Sequence, residues 1–418
     1  MSVRLGLEFN AQTTEARTRE MEQVEKHMRV RMFDGFETAV TTSPSEPLLA
    51  EAARRFMSAG PPFNMPSSLL EQLETMGLVK GDRGELVAEV LLILAADKAI
   101  EAHLDFERNH LSRSSTRSDV STVEVAPILT VPRAVSVESF MKALLENHWH
   151  EDLLSASPAK SRTQTESERS FHTVFKSFKV YFTHFIKIND AGLVNREFLW
   201  RLAARGAAVM CADGQGGADI VIPIVQNDKL CRSNVSAIIV QVKNDKRFTA
   251  TPNVLLFDLM NPYLVRFFDI GEKDPLPIIR MVFAFGSRTP CVTIIGPDME
   301  RLPRKAKTAA QKAAGRSPPY TSYDIWCAKA SSETFAVIKE DDEPNYAQLL
   351  KVNKVFPKAY YTDIADAEIE HIRCSMNPGT SVNGVHWTAY CGTSLPKPPV
   401  VDLADEVDFG DQDDMADE

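Results

Sequence analysis

The sequence predicts an α/β fold, a mixed β-sheet flanked by helices, preceded by a helical N-terminal region. Three observations lead there. Apolar residues recur at three- and four-residue spacing through the first third of the chain. Short runs rich in β-branched residues then follow, from "AAVMC" (207–211) to "PIIRMVFAFGS" (277–287). Amphipathic segments lie among them, and runs ordered in this way build a sheet with helices on both faces.

Taken in order, "TREMEQVEKHMRVRMFDG", "EPLLAEAARRFM", "SSLLEQLETMGLV" and "RGELVAEVLLILAADKAIEAHL" carry the helical spacing, with Pro61, Pro62 and Pro66 separating two of them. The last is apolar nearly all round from Val90 to Ala96, the pattern of a central, buried helix. The polar stretch "LSRSSTRSDVSTVEV" has little to bury and reads as a linker or an exposed loop. "SVESFMKALLENHWHEDLL" reads as one further helix. "FKSFKVYFTHFIKI" is aromatic and β-branched enough for a long strand, while its apolar positions also fit a helix. "NREFLWRLAARG" is amphipathic and stops at Gly206. "AAVMC", "ADIVIPIV" and "SAIIVQVKN" read as strands, "LFDLMNPYLVRFFDIG" as a helix interrupted at Pro262, and "PIIRMVFAFGS" as a strand.

At 418 residues the chain exceeds one average core. It divides into a helical region (1–112), a polar linker (113–135), an α/β core (136–300), a basic loop (301–320), a mixed extension (321–400) and an acidic tail (401–418) expected to be disordered. The Val90–Ala96 run falls far short of the roughly 20 residues that span a bilayer. "MSVRLGLEFN" has no signal-peptide core. The expectation is an intracellular protein, nuclear or cytoplasmic, with no membrane partner. Six scattered cysteines show neither a CxxC pair nor zinc-ligand spacing, which argues against a disulfide framework. The formal charge of -10 is concentrated in the tail, where nine acids and no Lys or Arg lie between Asp402 and Glu418. The rest is close to neutral, so a local basic groove for nucleic acid is compatible with it. The N-terminal helices are a further expected surface for protein partners. The oligomeric state is not legible.

The chemistry concentrates in "GQGGADIVIPIVQNDKLCRSNVSAIIVQVKN". If its apolar runs form a hairpin turning near Leu230 and Cys231, positions whose numbers sum to about 461 face each other, because strand residues pair one to one. Asp219 then lies opposite Gln241–Val242–Lys243. By alternation Gln241 and Lys243 share a face, while Ile238, Val240 and Val242 point to the other. An acid, an amide and an ammonium beside two apolar strands are costly unless they pair or bind an ion. Phosphodiester hydrolysis uses such a set: Asp219, the Gln241 side-chain oxygen and the Val242 carbonyl as ligands for Mg²⁺ or Mn²⁺, and Lys243 to orient the water or offset developing charge.

These residues resemble the catalytic hairpin of PD-(D/E)XK, restriction-endonuclease-like nucleases. "QGGAD…IIVQVKN" is most similar to the Mrr-like branch of restriction and Holliday-junction enzymes, whose second motif is often Q-x-K. The likeness covers about 100 residues, including the helix before the hairpin and the helix and strand after it. It implies metal-dependent hydrolysis of nucleic acid, DNA ahead of RNA, with Asp219, Gln241 and Lys243 as the catalytic set. A Glu from the first core helix completes the family's site, which here points to Glu197. Asp213 is a second candidate, and Glu85 or Glu89 would serve if the earlier helix folds onto the sheet. Where the branch usually has an acid four positions before the catalytic Asp, this chain has Gln215. The basic run with Arg301, Arg304, Lys305 and Lys307 is the candidate nucleic-acid grip. The alternative is a catalytically silent nuclease fold serving as a nucleic-acid-binding or assembly module. The rest of the chain resembles proteins multiplied in fungal genomes, a likeness that assigns no activity.

Overall fold

A computed structural model describes residues 3–6, 18, 21, 30–34, 38–42, 45, 47–59, 63–75, 83–114, 134–297 and 317–351, apart from 189, 213, 228, 270 and 273. The chain divides into two units, Met1–Asn353 and Lys354–Glu418, and all described residues belong to the first. The acidic tail and the basic run with Arg301, Arg304, Lys305 and Lys307 lie outside the described residues, as does Asp213.

The helices are α1 (Pro47–Ala59), α2 (Met65–Thr75), α3 (Arg83–Ser114), α4 (Val137–Leu144), α5 (His150–Ser155), α6 (Gln164–Ser167), α7 (Phe171–Phe175), α8 (Arg196–Arg205), α9 (Leu256–Leu259) and α10 (Glu343–Lys351). The strands are β1 (Val30–Asp34), β2 (Thr38–Thr42), β3 (Val135–Ser136), β4 (Phe178–Val180), β5 (His184–Lys187), β6 (Ala207–Met210), β7 (Ile220–Gln226), β8 (Val235–Lys243), β9 (Ile278–Ala284), β10 (Cys291–Ile295) and β11 (Ser322–Ala328). The architecture is mixed α/β. A nine-stranded mixed sheet runs β10-β11-β9-β8-β7-β4-β3, with β6 also on β7 and β5 on β6. No helix among the described residues is long and apolar enough to cross a membrane.

The β7–β8 pair is the centre of this sheet. It is antiparallel, with Ile220 opposite Val240 and Val225 opposite Val235, so facing numbers sum to 460. Pro223 stands in the middle of β7, which a two-sided strand ordinarily forbids because proline offers no N–H. It is tolerated because β7 changes partner there: Ile220 and Val221 pair with β6, whereas Ile224, Val225 and Gln226 pair with β4. Alternation sends Ile220, Ile222, Ile224, Ile238, Val240 and Val242 into one core, shared with α3 and α4. Val221, Val235, Ala237 and Ile239 go into a second, shared with α8 and α9. Asn195 caps α8 by accepting from the Phe198 N–H at 2.9 Å, and Gly206 ends it at φ 61°.

Long-range ion pairs join the layers. Arg4, fully buried, donates to both carboxylate oxygens of Asp97 on α3 at 2.7 Å and to the Thr183 carbonyl at 2.9 Å. Phe185 N–H donates to the Arg4 carbonyl, so residues 3–6 tie α3 to β5. On the other face Arg280 of β9 pairs with Asp324, its register partner on β11, and also donates to Phe257 O and Tyr320 Oη.

Several elements differ from the sequence reading. The end of "TREMEQVEKHMRVRMFDG" is β1, paired with β2, because Met32 and Phe33 find strand partners in Val40 and Ala39 that a local window does not reveal. "SVESFMKALLENHWHEDLL" breaks at Leu145 into α4, a 3-10 turn at Asn147–Trp149 and α5. "FKSFKVYFTHFIKI" yields the end of α7, then β4 and β5 on different parts of the sheet. The Pro262 segment is helical only over α9. The sheet also takes in β11, so it reaches past residue 300 into the stretch read as an extension.

Removing one partner of the buried Arg280–Asp324 pair leaves the other charged and desolvated. Asp324→Ala is expected to cost about 3–5 kcal/mol, and the double change Arg280→Met with Asp324→Leu distinctly less. Urea unfolding of the three proteins measures the difference.

Candidate functional site

The site forms where β6 ends, β7 begins and β8 ends. β5, β6, β8, β9 and β11 all run in the same direction, β7 and β10 against them. The chain leaves β6 at Cys211 and returns to β7 through the glycine-rich loop around Gly214, Gly216 and Gly217. Gly217 has φ +81°, and a Cβ there would lie 2.2 Å from the Leu259 carbonyl, so only glycine lets this loop pass under the 256–260 segment. Cys211 N–H then donates to the Asp219 carbonyl, and Asp219 N–H to the Val240 carbonyl, each at 2.9 Å.

Asp219 turns its carboxylate onto the end of β8, where Oδ2 accepts from the Val242 N–H at 2.5 Å. The acid therefore sits on the backbone between Gln241 and Lys243. Val242 points into the first core, so Gln241 and Lys243 take the opposite face, as strand alternation requires. Gln241 is 5% exposed and its Oε1 has no hydrogen-bond partner. The Oε1 of Gln215, on the loop, is likewise buried and unpartnered. The orphaned Gln241 oxygen, on the residue next to the Val242 N–H that the Asp219 carboxylate holds, is an acceptor without a donor, the chemistry that suits a hard cation.

A second acidic element comes from α3. Glu89 is fully buried, and neither of its oxygens has a hydrogen-bond partner. Burial, and secondarily the charge of Glu85, pushes its carboxyl well above the ordinary range, against an opposing pull from Lys187 at the end of β5. The same groups reach Cys211, whose thiol is raised by burial first and then by Asp219, with Lys187 opposing and Glu85 adding. Glu85 and Asp219 thus act on one point at the strand ends. Glu89 belongs to the helix over the first core, on the other side of the sheet from Gln241.

Glu197 is placed elsewhere, which corrects the ligand set drawn from the sequence. Its helix begins at the hairpin-turn end, where Arg196 donates to Ser233 O and Val235 O. Val235 and Lys243 are separated by about 26 Å of extended strand. Glu197 itself is exposed and pairs with Arg201 at 2.7 Å. The all-round apolar helix with acids at 85 and 89 does pack on the sheet, over the first core. Among the described residues no group of three or more His, Cys, Asp or Glu side chains is gathered as a metal site.

Comparisons with protein-family models, with curated proteins and with solved structures find no match.

The raised Glu89 carboxyl gives a pH prediction with a definite sign. The folded protein keeps a proton that the unfolded chain releases above the ordinary value of 4.5, so this residue lowers stability as pH rises from there toward its folded value. Glu89→Gln removes that slope. Thermal unfolding between about pH 5 and 8 should show the variant gaining on the parent as pH increases, with little difference at the acid end.

Proposed function

We propose that the protein is a metal-dependent phosphodiesterase of PD-(D/E)XK type that hydrolyses nucleic acid, DNA ahead of RNA, at Asp219, Gln241 and Lys243. One observation carries the reading: the Asp219 carboxylate is bonded to the Val242 backbone between a buried, unpartnered Gln241 oxygen and a lysine. The element order supports a restriction-endonuclease-like core, because β6, β7, β8 and β9 are consecutive neighbours and α9 precedes β9. Asp219, Gln241 Oε1 and the Val242 carbonyl would hold Mg²⁺ or Mn²⁺. Glu85, near the start of the helix packed on the first core, is the remaining candidate for the helix-acid role assigned from sequence to Glu197. One or two carboxylates suffice for Mg²⁺, which keeps several waters.

When bound, the ion neutralises the scissile phosphate and acidifies its water. Asp219 orients the ligand set through its bond to Val242. Lys243 lies two residues beyond Gln241 on the same face, where its ammonium offsets charge building on the phosphoryl oxygens.

A silent, binding-only nuclease fold is the second reading. It is favoured by the neutral Gln215 and Gln241 in places where acids strengthen a cation site.

A plasmid-cleavage assay with Mg²⁺ or Mn²⁺ separates the two. Asp219→Ala is expected to abolish cleavage, and Lys243→Ala to slow it by about two to three orders of magnitude, the scale of one lost transition-state contact. Gln241→Glu should lower the Mg²⁺ concentration needed for half-maximal rate. Cleavage indifferent to Asp219→Ala and Lys243→Ala rules the site out, and no cleavage by the parent under either metal favours the silent fold.

A further inference from the structure

The two ends of the sheet differ in how their charges are matched. At the end where β8, β9 and β11 begin, arginines are paired across loops: Arg232 with Asp269, Arg196 with Glu272, and Arg162 with both Asp274 and Glu166. At the end where those strands finish, Lys243, Lys246 and Arg288 pair with no acid among the described residues. Lys246 and Arg288 are exposed. Arg247 pairs with Asp245, two residues away, with both side chains largely in water.

These cations are held by a fixed frame. Lys243 aligns with Ala284, and Ala284 with Ala328, so the loops after β8, β9 and β11 emerge side by side. Lys329 N–H donates to the Ala284 carbonyl at 3.0 Å, and Asn244 Nδ2 to the Leu350 carbonyl at 3.0 Å. Gly286 lies so close to Asp245 that a Cβ would come 2.1 Å from its carbonyl oxygen. Strands lie about 4.8 Å apart, so the rim from β8 to β11 covers about 10 Å. Like charges fixed at such spacing repel one another unless a polyanion lies across them. On the other flank of Asp219, Lys187 ends β5 opposite Met210 of β6, and its charge acts on the buried Glu89.

We propose that the rim carrying Lys246 and Arg288 grips the backbone phosphates on one side only of the site at Asp219, so that the bound strand leaves the site over β9 and β11. Its orientation rests on the Asp219–Gln241–Lys243 reading, while the grip itself needs no hydrolysis. Each cation that neutralises a phosphate releases condensed counterions and adds about 0.7 (single strand) to 0.9 (duplex) to the slope of log affinity against log salt.

The test uses the full chain in EDTA, with a fluorescein-labelled single-stranded DNA, its duplex, and polyglutamate of matching charge as probes. Fluorescence anisotropy over a salt series reads affinity. Lys246→Gln and Arg288→Gln are each expected to lower the DNA salt slope by about 0.7–0.9, and the double variant by about twice that. Arg232→Gln, at the opposite end of the sheet, should leave the slope unchanged, and thermal midpoints should match the parent because the changed side chains are exposed. Equal slopes for parent and double variant, an equal loss with Arg232→Gln, an equal loss on polyglutamate, or no DNA binding by the parent each overturns the proposal. Binding in EDTA needs no hydrolysis, so a failed hydrolysis reading leaves the grip standing and a failed grip leaves hydrolysis open.

Discussion

The register between β7 and β8 is the constraint on which the rest depends. One residue of slip would exchange the two faces of β8 relative to β7, sending Ile238, Val240 and Val242 to the side now held by Ala237 and Ile239. Both strands are buried on both faces, so neither face offers solvent as a refuge for a mispaired side chain. The same register decides the site, because it alone carries Asp219 to the N–H of Val242. Pro223 reinforces it from within the chain, since that residue fits only where β7 passes from β6 to β4.

Charge is used differently in the interior and at the strand ends. Arg280–Asp324 and Arg4–Asp97 are buried, two-pronged pairs whose desolvation offsets much of their attraction. Their value lies in geometry: the first aligns β9 with β11 and the 257–320 contacts, the second pins α3 against β5 through residues 3–6. That second clamp positions Glu85 and Glu89 at the edge where β5 and β6 end. At the ends of the parallel strands the chemistry changes to orphaned oxygens and unmatched cations. Buried groups left unsatisfied are places where ligand chemistry is expected.

Glu89 and Gln241 place two unsatisfied polar groups on opposite sides of the same sheet. Burial raises the Glu89 carboxyl and so favours its neutral form, whereas the amide carries no charge. Asp219 sits between these layers at the edge, partly exposed and bonded to backbone. A single carboxylate among neutral oxygens makes a weaker cation trap than an all-acid set.

Much of this was legible in local pattern. β6, β7 and β8 showed as β-branched runs, α8 by its cap and Gly206, the buried α3 by its apolar Val90–Ala96 stretch, and the Asp219–Gln241 juxtaposition by counting along a hairpin, to within one position of the observed register. These features follow from the two-residue strand period and the helical turn, which are properties of contiguous sequence. What tertiary structure decided was everything set by distant partners. β1 became a strand through pairing with β2, the 175–188 segment was divided between β4 and β5, and β11 joined the sheet from beyond residue 300. Glu197 lies at the far end of β8 from Val242 for the same reason: which end of a strand a helix approaches depends on long-range packing, here the Arg196 bonds to Ser233 and Val235. No window of neighbouring residues contains that information.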